Sequence, residues 1–215
     1  MRKLLLTSVF TPELAQELIK LLPTSPSETK LAFIATASEV ETDKGYVLRD
    51  RAALEGMGFA EIIEVDLKIP EDLAKLDECG AVFVEGGNTF YLLKWIRESK
   101  FDVKLKELLA NDKVYVGVSA GSIVVGTSIE ISGVGRTADK NQGYVEDLRG
   151  LRQVPFMVAV HMNSEEKIYF DQFARSRPLR PIIGIEDGMA IICEGDRFRI
   201  VGPGKVQTWS SKLFR

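Results

Sequence analysis

A glycine-flanked serine is the most specific chemical signal in this chain of 215 residues. Residues 117–121 read Gly-Val-Ser-Ala-Gly, directly after the apolar run at 114–116 and before a short run of helical character. Small residues let the chain turn sharply from strand to helix, which would hold the Ser119 hydroxyl clear of the backbone as a nucleophile. The Ala120 amide would then point to where an oxyanion develops. A plain glycine-rich turn, in which Ser119 only caps the helix, is the alternative.

The base that a serine nucleophile needs is usually a histidine, and His161 is the only histidine in the chain. It follows the apolar run at 156–160, so a parallel strand would deliver it to the carboxyl edge of the sheet. A lone histidine at a strand end is often structural or exposed to solvent. Its pairing with the serine motif favours the role of general base.

A carboxylate that orients the imidazole is the third group of such a site. Glu186 and Asp187 follow the apolar run at 181–185, and a charged pair in a turn is often only solvated. Three further acids lie between the serine and the histidine and remain candidates: Glu130, Asp139 and Asp147.

A second backbone amide for the oxyanion is expected near another strand end. The segment Glu-Gly-Gly-Asn-Thr at 85–89 follows the apolar run at 81–84 and opens a helical segment. Its glycines allow close approach of the backbone to a ligand, and Asn88 or Thr89 can cap the helix. A tight turn with a cap explains the same residues without a function.

Short apolar runs alternate with helical segments along the first half of the chain, which predicts an α/β fold with parallel strands covered on both faces. Residues 133–151 lack this periodicity and predict a long loop over the sheet. Residues 198–201 and 206–209 flank Gly-Pro-Gly and predict a C-terminal β-hairpin. With 45% apolar residues and no linker, residues 1–215 are expected to form a single domain.

Composition and charge exclude several classes of protein. The 28 basic and 31 acidic residues give a formal charge of −3 without a basic run, so nucleic acid is not an expected partner. Two cysteines and one histidine cannot supply a zinc site, a metal site or a disulfide framework. No apolar stretch approaches eighteen residues, so no membrane span is expected. The N-terminal residues lack a signal-peptide cleavage site, which predicts a cytoplasmic protein.

The order and spacing of these motifs resemble the peptidase E family of serine peptidases. The resemblance runs from about residue 81 to residue 190 and includes the motifs at 85–89, 117–122 and 184–188. This family includes aspartyl dipeptidases and the related cyanophycinases. It implies a three-layer sandwich with a mostly parallel sheet between helices, like the class I glutamine amidotransferases.

The resemblance also implies roles for individual residues. Ser119 would be the nucleophile and His161 the base, and the spacing Gly-x-x-acid-Gly assigns the orienting acid to Asp187. Glu186 is a rival, because aspartyl dipeptidases carry glutamate at the acid position. The oxyanion amides would be those of Gly87 and Ala120.

Substrate binding is where the chain departs from the aspartyl dipeptidases. Those enzymes place an arginine shortly after the histidine, whereas residues 163–166 here read Asn-Ser-Glu-Glu. Two acids would repel an acidic side chain, so strict Asp-X specificity is not expected unless Arg136 or Arg175 replaces that arginine. Asn88 and Arg136 are the candidate substrate-binding residues.

These observations together predict a cytoplasmic serine peptidase that hydrolyses small peptides through an acyl-enzyme, without metal or organic cofactor, as a monomer or homodimer. An esterase of the α/β-hydrolase type is one alternative and would take its acid from before the histidine, such as Asp139. A non-catalytic binding protein on an amidotransferase-like scaffold is the other alternative.

Overall fold

The computed structural model describes residues 1–177 and 180–209. Within these ranges the strands and helices are β1 (Lys3–Thr7), α1 (Pro12–Leu21), β2 (Lys30–Ile34), α2 (Gly45–Gly56), β3 (Glu61–Glu64), β4 (Ala81–Val84), α3 (Thr89–Ser99), α4 (Phe101–Ala110), β5 (Val114–Val118), α5 (Ala120–Val124), β6 (Met157–Ala159), α6 (Lys167–Ser176), β7 (Ile182–Gly184), β8 (Ala190–Glu194), β9 (Arg197–Val201) and β10 (Gln207–Trp209).

A seven-stranded sheet forms the centre of the fold, in the order β3-β2-β4-β5-β1-β8-β9. The five strands from β3 to β1 are parallel, and β8 and β9 add two antiparallel strands. Thr7 pairs with Val118, and Val84 pairs with Gly117. The carboxyl ends of β1, β4 and β5 therefore meet at one edge of the sheet.

Side chains alternate between the two faces of this sheet, as the pleat requires. Leu5 lies in one hydrophobic cluster with residues of α1 and α2, whereas its neighbours Leu4 and Leu6 lie in another with residues of α3 and α4. Helices thus cover both faces, which confirms the predicted three-layer α/β architecture with a mainly parallel sheet.

A second, three-stranded sheet has the order β10-β7-β6 and packs on the α3 side of the main sheet. β6 and β7 are parallel, and Ala159 pairs with Gly184. The chain therefore leaves both strands at the same level. His161 comes from this small sheet, so the prediction that its strand belongs to the main sheet is wrong.

The C-terminal hairpin is present, but a different pair of strands forms it. β8 and β9 pair across a tight turn at Gly195, whose φ is 62°. The predicted partner strand, β10, pairs with β7 instead. Its Trp209 packs near Phe170 and donates a 2.9 Å hydrogen bond to Asp171, which ties β10 to α6.

Residues 134–156 form an irregular segment, which agrees with the predicted long loop. Part of it lies over the N-terminus of α3: Asn88 Nδ2 donates to the carbonyl of Lys140, and the Thr89 amide donates to Asp139. Among the described residues, no helix has the length and apolar character needed to cross a membrane.

Candidate active site

Ser119 lies at a sharp turn between β5 and α5. Its φ of 47° and ψ of −108° are unusual for a residue with a side chain, and such strain is concentrated at functional sites. Its amide donates to the carbonyl of Thr7 on the neighbouring strand at 2.9 Å. Gly121 packs directly on the Val84 carbonyl, where a Cβ would collide. The small residues of the motif are therefore needed for the turn, as the sequence predicts.

A chain of hydrogen bonds connects three of the predicted side chains. Ser119 Oγ lies 3.0 Å from His161 Nε2, and His161 Nδ1 lies 2.8 Å from Asp187 Oδ1. A carboxylate can only accept at neutral pH, so this contact places the proton of the neutral imidazole on Nδ1. The lone pair of Nε2 then faces the serine hydroxyl.

The small sheet explains how His161 and Asp187 meet. His161 follows β6 by two residues and Asp187 follows β7 by three, and the two strands end in register. His161 has a φ of 55°, so the histidine, like the serine, lies at a strained position. The pKa of Asp187 is lowered, mainly by its hydrogen bond to His161. The Asp187 side chain is 62% exposed, so solvent also reaches this carboxylate.

Ser8, which the sequence analysis missed, connects the same two residues. Its Oγ accepts a 2.8 Å hydrogen bond from the His161 amide and donates a 2.6 Å hydrogen bond to Asp187 Oδ1. Ser8 itself is buried and directly follows β1. Its position at the end of an apolar run was a usable signal, because β1 is parallel to β5 and both strands end at the same edge.

The rival acids have other hydrogen-bond or ion-pair partners, or point away from His161, in the described structure. Glu186 Oε2 points toward Gly204, where an added Cβ would come within 2.9 Å of it. Asp139 Oδ2 accepts a 2.9 Å hydrogen bond from the Thr89 amide. The other two bind arginines: Asp147 pairs with Arg149, and Glu130 pairs with Arg177 and Arg180. Among the described residues, Asp187 is the carboxylate that forms a hydrogen bond with His161.

Gly87 and Ala120, the residues expected to supply oxyanion amides, both border Ser119. Gly87 has a φ of 127°, and an added Cβ would collide with the Ala37 carbonyl. At Gly86 an added Cβ would come within 3.2 Å of Ser119 Cβ, so this backbone runs beside the serine. Ala120 is the first residue of α5, where amides lack acceptors inside the helix.

The two candidate substrate-binding side chains are both engaged within the protein. Asn88 caps α3, accepting from the Tyr91 amide through Oδ1, and its Nδ2 donates to the Lys140 carbonyl. Arg136 is exposed and forms an ion pair of 2.5 Å with Glu165. Glu166 is buried and accepts from the Arg136 amide, and neither acid is among the described residues that line the small cavity next to Ser119.

A small cavity of about 60 Å³ adjoins Ser119 and His161. Its lining also includes four other polar residues, Thr89, Ser132, Thr137 and Asp139. Most of the remaining wall is apolar: Ile123, Ile131, Val134, Ala159, Val160 and Phe170. The cavity therefore accepts a small group next to the serine hydroxyl.

Glu85 lies behind the Gly86–Gly87 backbone and is completely buried. Burial, reinforced by the charge of Asp50, raises the pKa of Glu85 to about 8. Its Oε1 accepts from the Gly86 amide at 2.8 Å, while Oε2 has no hydrogen-bond partner among the described residues. The neutral acid is therefore favoured in the folded protein near neutral pH.

This burial predicts a pH-dependent stability. Because the folded pKa of Glu85 lies above the ordinary value, the folded state binds the proton more tightly, and the free energy of unfolding falls as pH rises from about 4.5 through 8. Glu85→Gln keeps an acceptor for Gly86 and removes the ionisation. We expect the free energy of unfolding, measured with urea, to fall less between pH 5 and pH 9 in Glu85→Gln than in the wild type. The difference between the two falls should be about 2 to 4 kcal/mol.

The matched control is the exposed Glu98→Gln, which should retain the pH profile of the wild type. Equal losses of stability in wild type and Glu85→Gln would contradict the assigned burial effect.

The two cysteines do not compete with Ser119 as nucleophiles. Both are buried free thiols, and burial raises the pKa of Cys79 to about 11 and that of Cys193 to about 12. Both thus stay protonated at neutral pH, and a thiol is a far weaker nucleophile than a thiolate. Among the described residues, no group of three His, Cys, Asp or Glu side chains is arranged to hold a metal ion.

Known proteins with similar sequences are peptidases. An uncharacterized peptidase of Listeria monocytogenes is 35% identical over 102 residues, which are 46% of this chain and 49% of that protein. Peptidase E of Shewanella denitrificans is 28% identical over 201 residues, which are 89% of this chain and 83% of that protein.

The fold is also similar to that of a solved peptidase structure. A crystal structure of a protein assigned as peptidase E, from Listeria monocytogenes EGD-e, superposes with a TM-score of 0.81 at 26% identity. The match covers 95% of this chain and all of that one. The sequence model of peptidase family S51 matches residues 4–201, nearly the whole chain. The chain therefore belongs to peptidase family S51 and is a serine-type peptidase.

Proposed function

We propose that the protein hydrolyses small peptides, as a dipeptidase-like enzyme, through an acyl-enzyme formed on Ser119. The observation that carries this proposal is the hydrogen-bonded chain from Ser119 Oγ through the imidazole of His161 to Asp187 Oδ1. It stands at a strained strand-to-helix turn beside a small cavity. That arrangement suits nucleophilic attack on the carbonyl carbon of a peptide bond.

Each of the three side chains has a defined role in the proposed reaction. His161 Nε2 takes the hydroxyl proton as Ser119 Oγ attacks, and then gives that proton to the leaving amine. Asp187 holds the Nδ1 proton in place and stabilises the imidazolium. Water then attacks the acyl-enzyme with the same assistance from His161, which releases the acid and restores the serine.

The developing oxyanion is assigned to the amides of Gly87 and Ala120. Both belong to segments that border Ser119, and fixed backbone donors stabilise the tetrahedral intermediate without rearrangement. Asn88 then supports the Gly87 segment as a cap of α3 rather than by direct contact with substrate.

A preference for acidic N-terminal residues is not expected. Arg136 pairs with Glu165, and no arginine is among the described residues that line the cavity. Asp139, which does line it, is itself an acid. The cytoplasmic location and the monomeric or homodimeric state expected from the sequence remain predictions.

The experiment that tests this function is hydrolysis of a library of dipeptides and isoaspartyl dipeptides by the wild type and by Ser119→Ala. We expect turnover of several dipeptides by the wild type, with Asp-X no better than Asn-X or Leu-X. A library in which the wild type cleaves no member would contradict the proposal.

The two alternatives lack a supporting observation. The esterase alternative takes its acid from before the histidine, but Asp139 is hydrogen-bonded to the Thr89 amide and Asp187 to His161. Membership of a family of serine peptidases disfavours a purely binding role.

Ser8 is expected to position His161 and Asp187. Ser8→Ala removes the acceptor for the His161 amide and a donor to Asp187, each worth about 1 kcal/mol or more. We therefore expect kcat to fall by about tenfold to a hundredfold. KM should stay within about twofold, because Ser8 does not line the cavity. A rise in KM at unchanged kcat, measured by steady-state kinetics, would contradict this role.

A further inference from the structure

The backbone segment 85–88, which runs beside Ser119, leaves one of its four amides for a ligand. Among the described residues, the Gly87 amide has no acceptor, whereas the other three donate at 2.8 to 2.9 Å. Their acceptors are, in chain order, the Ile34 carbonyl, Glu85 Oε1 and the Ala37 carbonyl. The segment is therefore fixed on both sides of the amide that is assigned to the oxyanion.

Glu85 and Tyr46 hold the two peptide units that orient the Gly87 amide. Glu85 Oε1 accepts from the Gly86 amide at 2.8 Å, and the Tyr46 hydroxyl donates to the Gly86 carbonyl at 3.4 Å. This carbonyl belongs to the same planar peptide unit as the Gly87 amide, so a partner of one sets the direction of the other. Without these contacts the two glycines would rotate easily, because neither has a Cβ.

The carboxyl group of Glu85 interacts with a second buried acid, Asp50 of α2. Glu85 is completely buried and Asp50 is 1% exposed. Each has one oxygen without a hydrogen-bond partner among the described residues, Glu85 Oε2 and Asp50 Oδ2. Burial and then the charge of Asp50 raise the pKa of Glu85 to about 8. A proton on Glu85 removes one of two buried like charges and supplies a donor where both acids lack one.

Arg49, whose charge favours the ionised form of Glu85, is engaged elsewhere. Its Nε donates to Asp50 Oδ1 at 2.9 Å, and its side chain is 56% exposed. The strands on either side of β4 add no charge at this end, since residues 33–36 read Phe-Ile-Ala-Thr and residues 116–119 read Val-Gly-Val-Ser. Burial therefore dominates, and the neutral acid is the form that fits the fold.

The other ionisable groups around this segment add negative charge or stay neutral. Burial raises the pKa of Tyr46, so its hydroxyl remains a donor in neutral and mildly alkaline solution. On α1, which covers the same face of the sheet as α2, Glu13 is exposed and Glu17 pairs with two cations. Four acids act on Tyr46 in the same direction as burial: Glu85, Glu41, Asp43 and Asp139.

We propose that Glu85 is a positioning residue that acts as a neutral acid: its carboxyl group fixes the Gly86 amide so that the Gly87 amide stays on the oxyanion, and its ionisation slows the reaction of Ser119. This inference rests on the proposed function and adds a group that controls its oxyanion site.

Loss of the Glu85 proton to solvent acts on the reaction in two ways. A negative charge behind the glycine segment opposes the negative charge that develops on the oxyanion, in a region that water does not screen. The same charge, next to Asp50, favours movement of the carboxylate toward water, and the Gly86 amide that it holds moves with it.

Labelling of Ser119 by a fluorophosphonate, followed from pH 7.5 to pH 9.5, tests this role. The probe has no group that titrates in this range, unlike the α-amine of a dipeptide. With a pKa of about 8, the protonated fraction of Glu85 falls about 25-fold over these two pH units. We therefore expect the second-order labelling rate of the wild type to fall by about 10- to 25-fold, while circular dichroism shows that the protein stays folded.

Substitutions separate the charge of Glu85 from its hydrogen bond. Glu85→Gln keeps the acceptor for Gly86 and cannot ionise, so its rate should lie within about threefold of the wild type at pH 7.5 and show no fall to pH 9.5. Glu85→Ala removes the acceptor and should be slower by about tenfold at every pH. Asp50→Asn removes the neighbouring charge and should move the fall to lower pH. The exposed Glu98→Gln is the control and should keep the profile of the wild type.

Two results would overturn the proposal: a wild-type rate that does not fall, or an equal fall in Glu85→Gln. A second measurement requires no reaction at Ser119. In protein labelled with [¹⁵N]glycine, the amide signals of Gly86 and Gly87 should shift with a midpoint near pH 8 in the wild type and stay in place in Glu85→Gln. Signals that do not shift in the wild type would overturn the proposal as well.

The labelling rates also distinguish this inference from the proposed hydrolysis. If the wild type cleaves no dipeptide but its labelling shows the fall that depends on Glu85, the peptidase proposal is wrong and the role of Glu85 stands. If dipeptides are cleaved and labelling does not fall at alkaline pH, the hydrolytic function stands and the role of Glu85 is wrong.

Discussion

Ser119→Ala is expected to lower kcat for dipeptide hydrolysis by about 10⁴- to 10⁶-fold while the protein stays folded. The Ser119 hydroxyl lies at the strained turn, and its Oγ is 3.0 Å from His161 Nε2. Alanine keeps the Cβ and adds no bulk beside Gly86. The loss should therefore appear in kinetics, with the thermal unfolding midpoint changed by only a few degrees.

Ser122→Ala, in the same motif, is the matched comparison. The Ser122 hydroxyl is buried and donates to the carbonyls of Thr7 and Gly117 within the turn, so its removal is expected to lower stability by about 1 to 3 kcal/mol. Ser119→Ala should thus lose activity and Ser122→Ala mainly stability. Near wild-type hydrolysis by Ser119→Ala would rule out the serine mechanism.

Asp187→Asn is expected to cost about 10²- to 10⁴-fold in kcat, whereas Glu186→Gln should stay within about threefold of the wild type. An asparagine that donates to Nδ1 stabilises the wrong tautomer of His161, in which Nε2 carries the proton and cannot accept from Ser119. The neighbouring Glu186 points toward Gly204 and gives the paired control, one residue away and of like charge.

Steady-state kinetics of both variants on one dipeptide measure this difference. A larger loss in Glu186→Gln than in Asp187→Asn would transfer the orienting role to Glu186. Two nearly neutral variants would instead show that His161 needs no carboxylate partner.

The main features of the site were predictable because short-range patterns determine them. The turn at Ser119 needs small residues on both sides, and the close packing of Gly121 on the Val84 carbonyl shows the physical reason. His161 was predictable because the chain has no second histidine. The preference for Asp187 over Glu186 came from the resemblance to the peptidase E family through the spacing Gly-x-x-acid-Gly, with Glu186 kept as a rival, and successive residues of an extended segment point to opposite sides.

The features that sequence reasoning missed depend on long-range pairing. Ser8 lies 153 residues from His161 along the chain, and only the pairing of β1 with β5 brings its hydroxyl to the site. β10 pairs with β7, and its Trp209 donates to Asp171 of α6; local hairpin patterns do not reveal either long-range contact. The ion pair between Arg136 and Glu165 likewise depends on how the loop packs.

Covalent labelling with a fluorophosphonate, followed by peptide mass spectrometry, tests the central claim most directly. The account predicts a single adduct on the Ser119 hydroxyl, formed at a rate that falls by orders of magnitude in His161→Gln because the base is lost. No adduct should form on Ser119→Ala. An adduct on another residue, or equal labelling of wild type and His161→Gln, would contradict an activated nucleophile at Ser119.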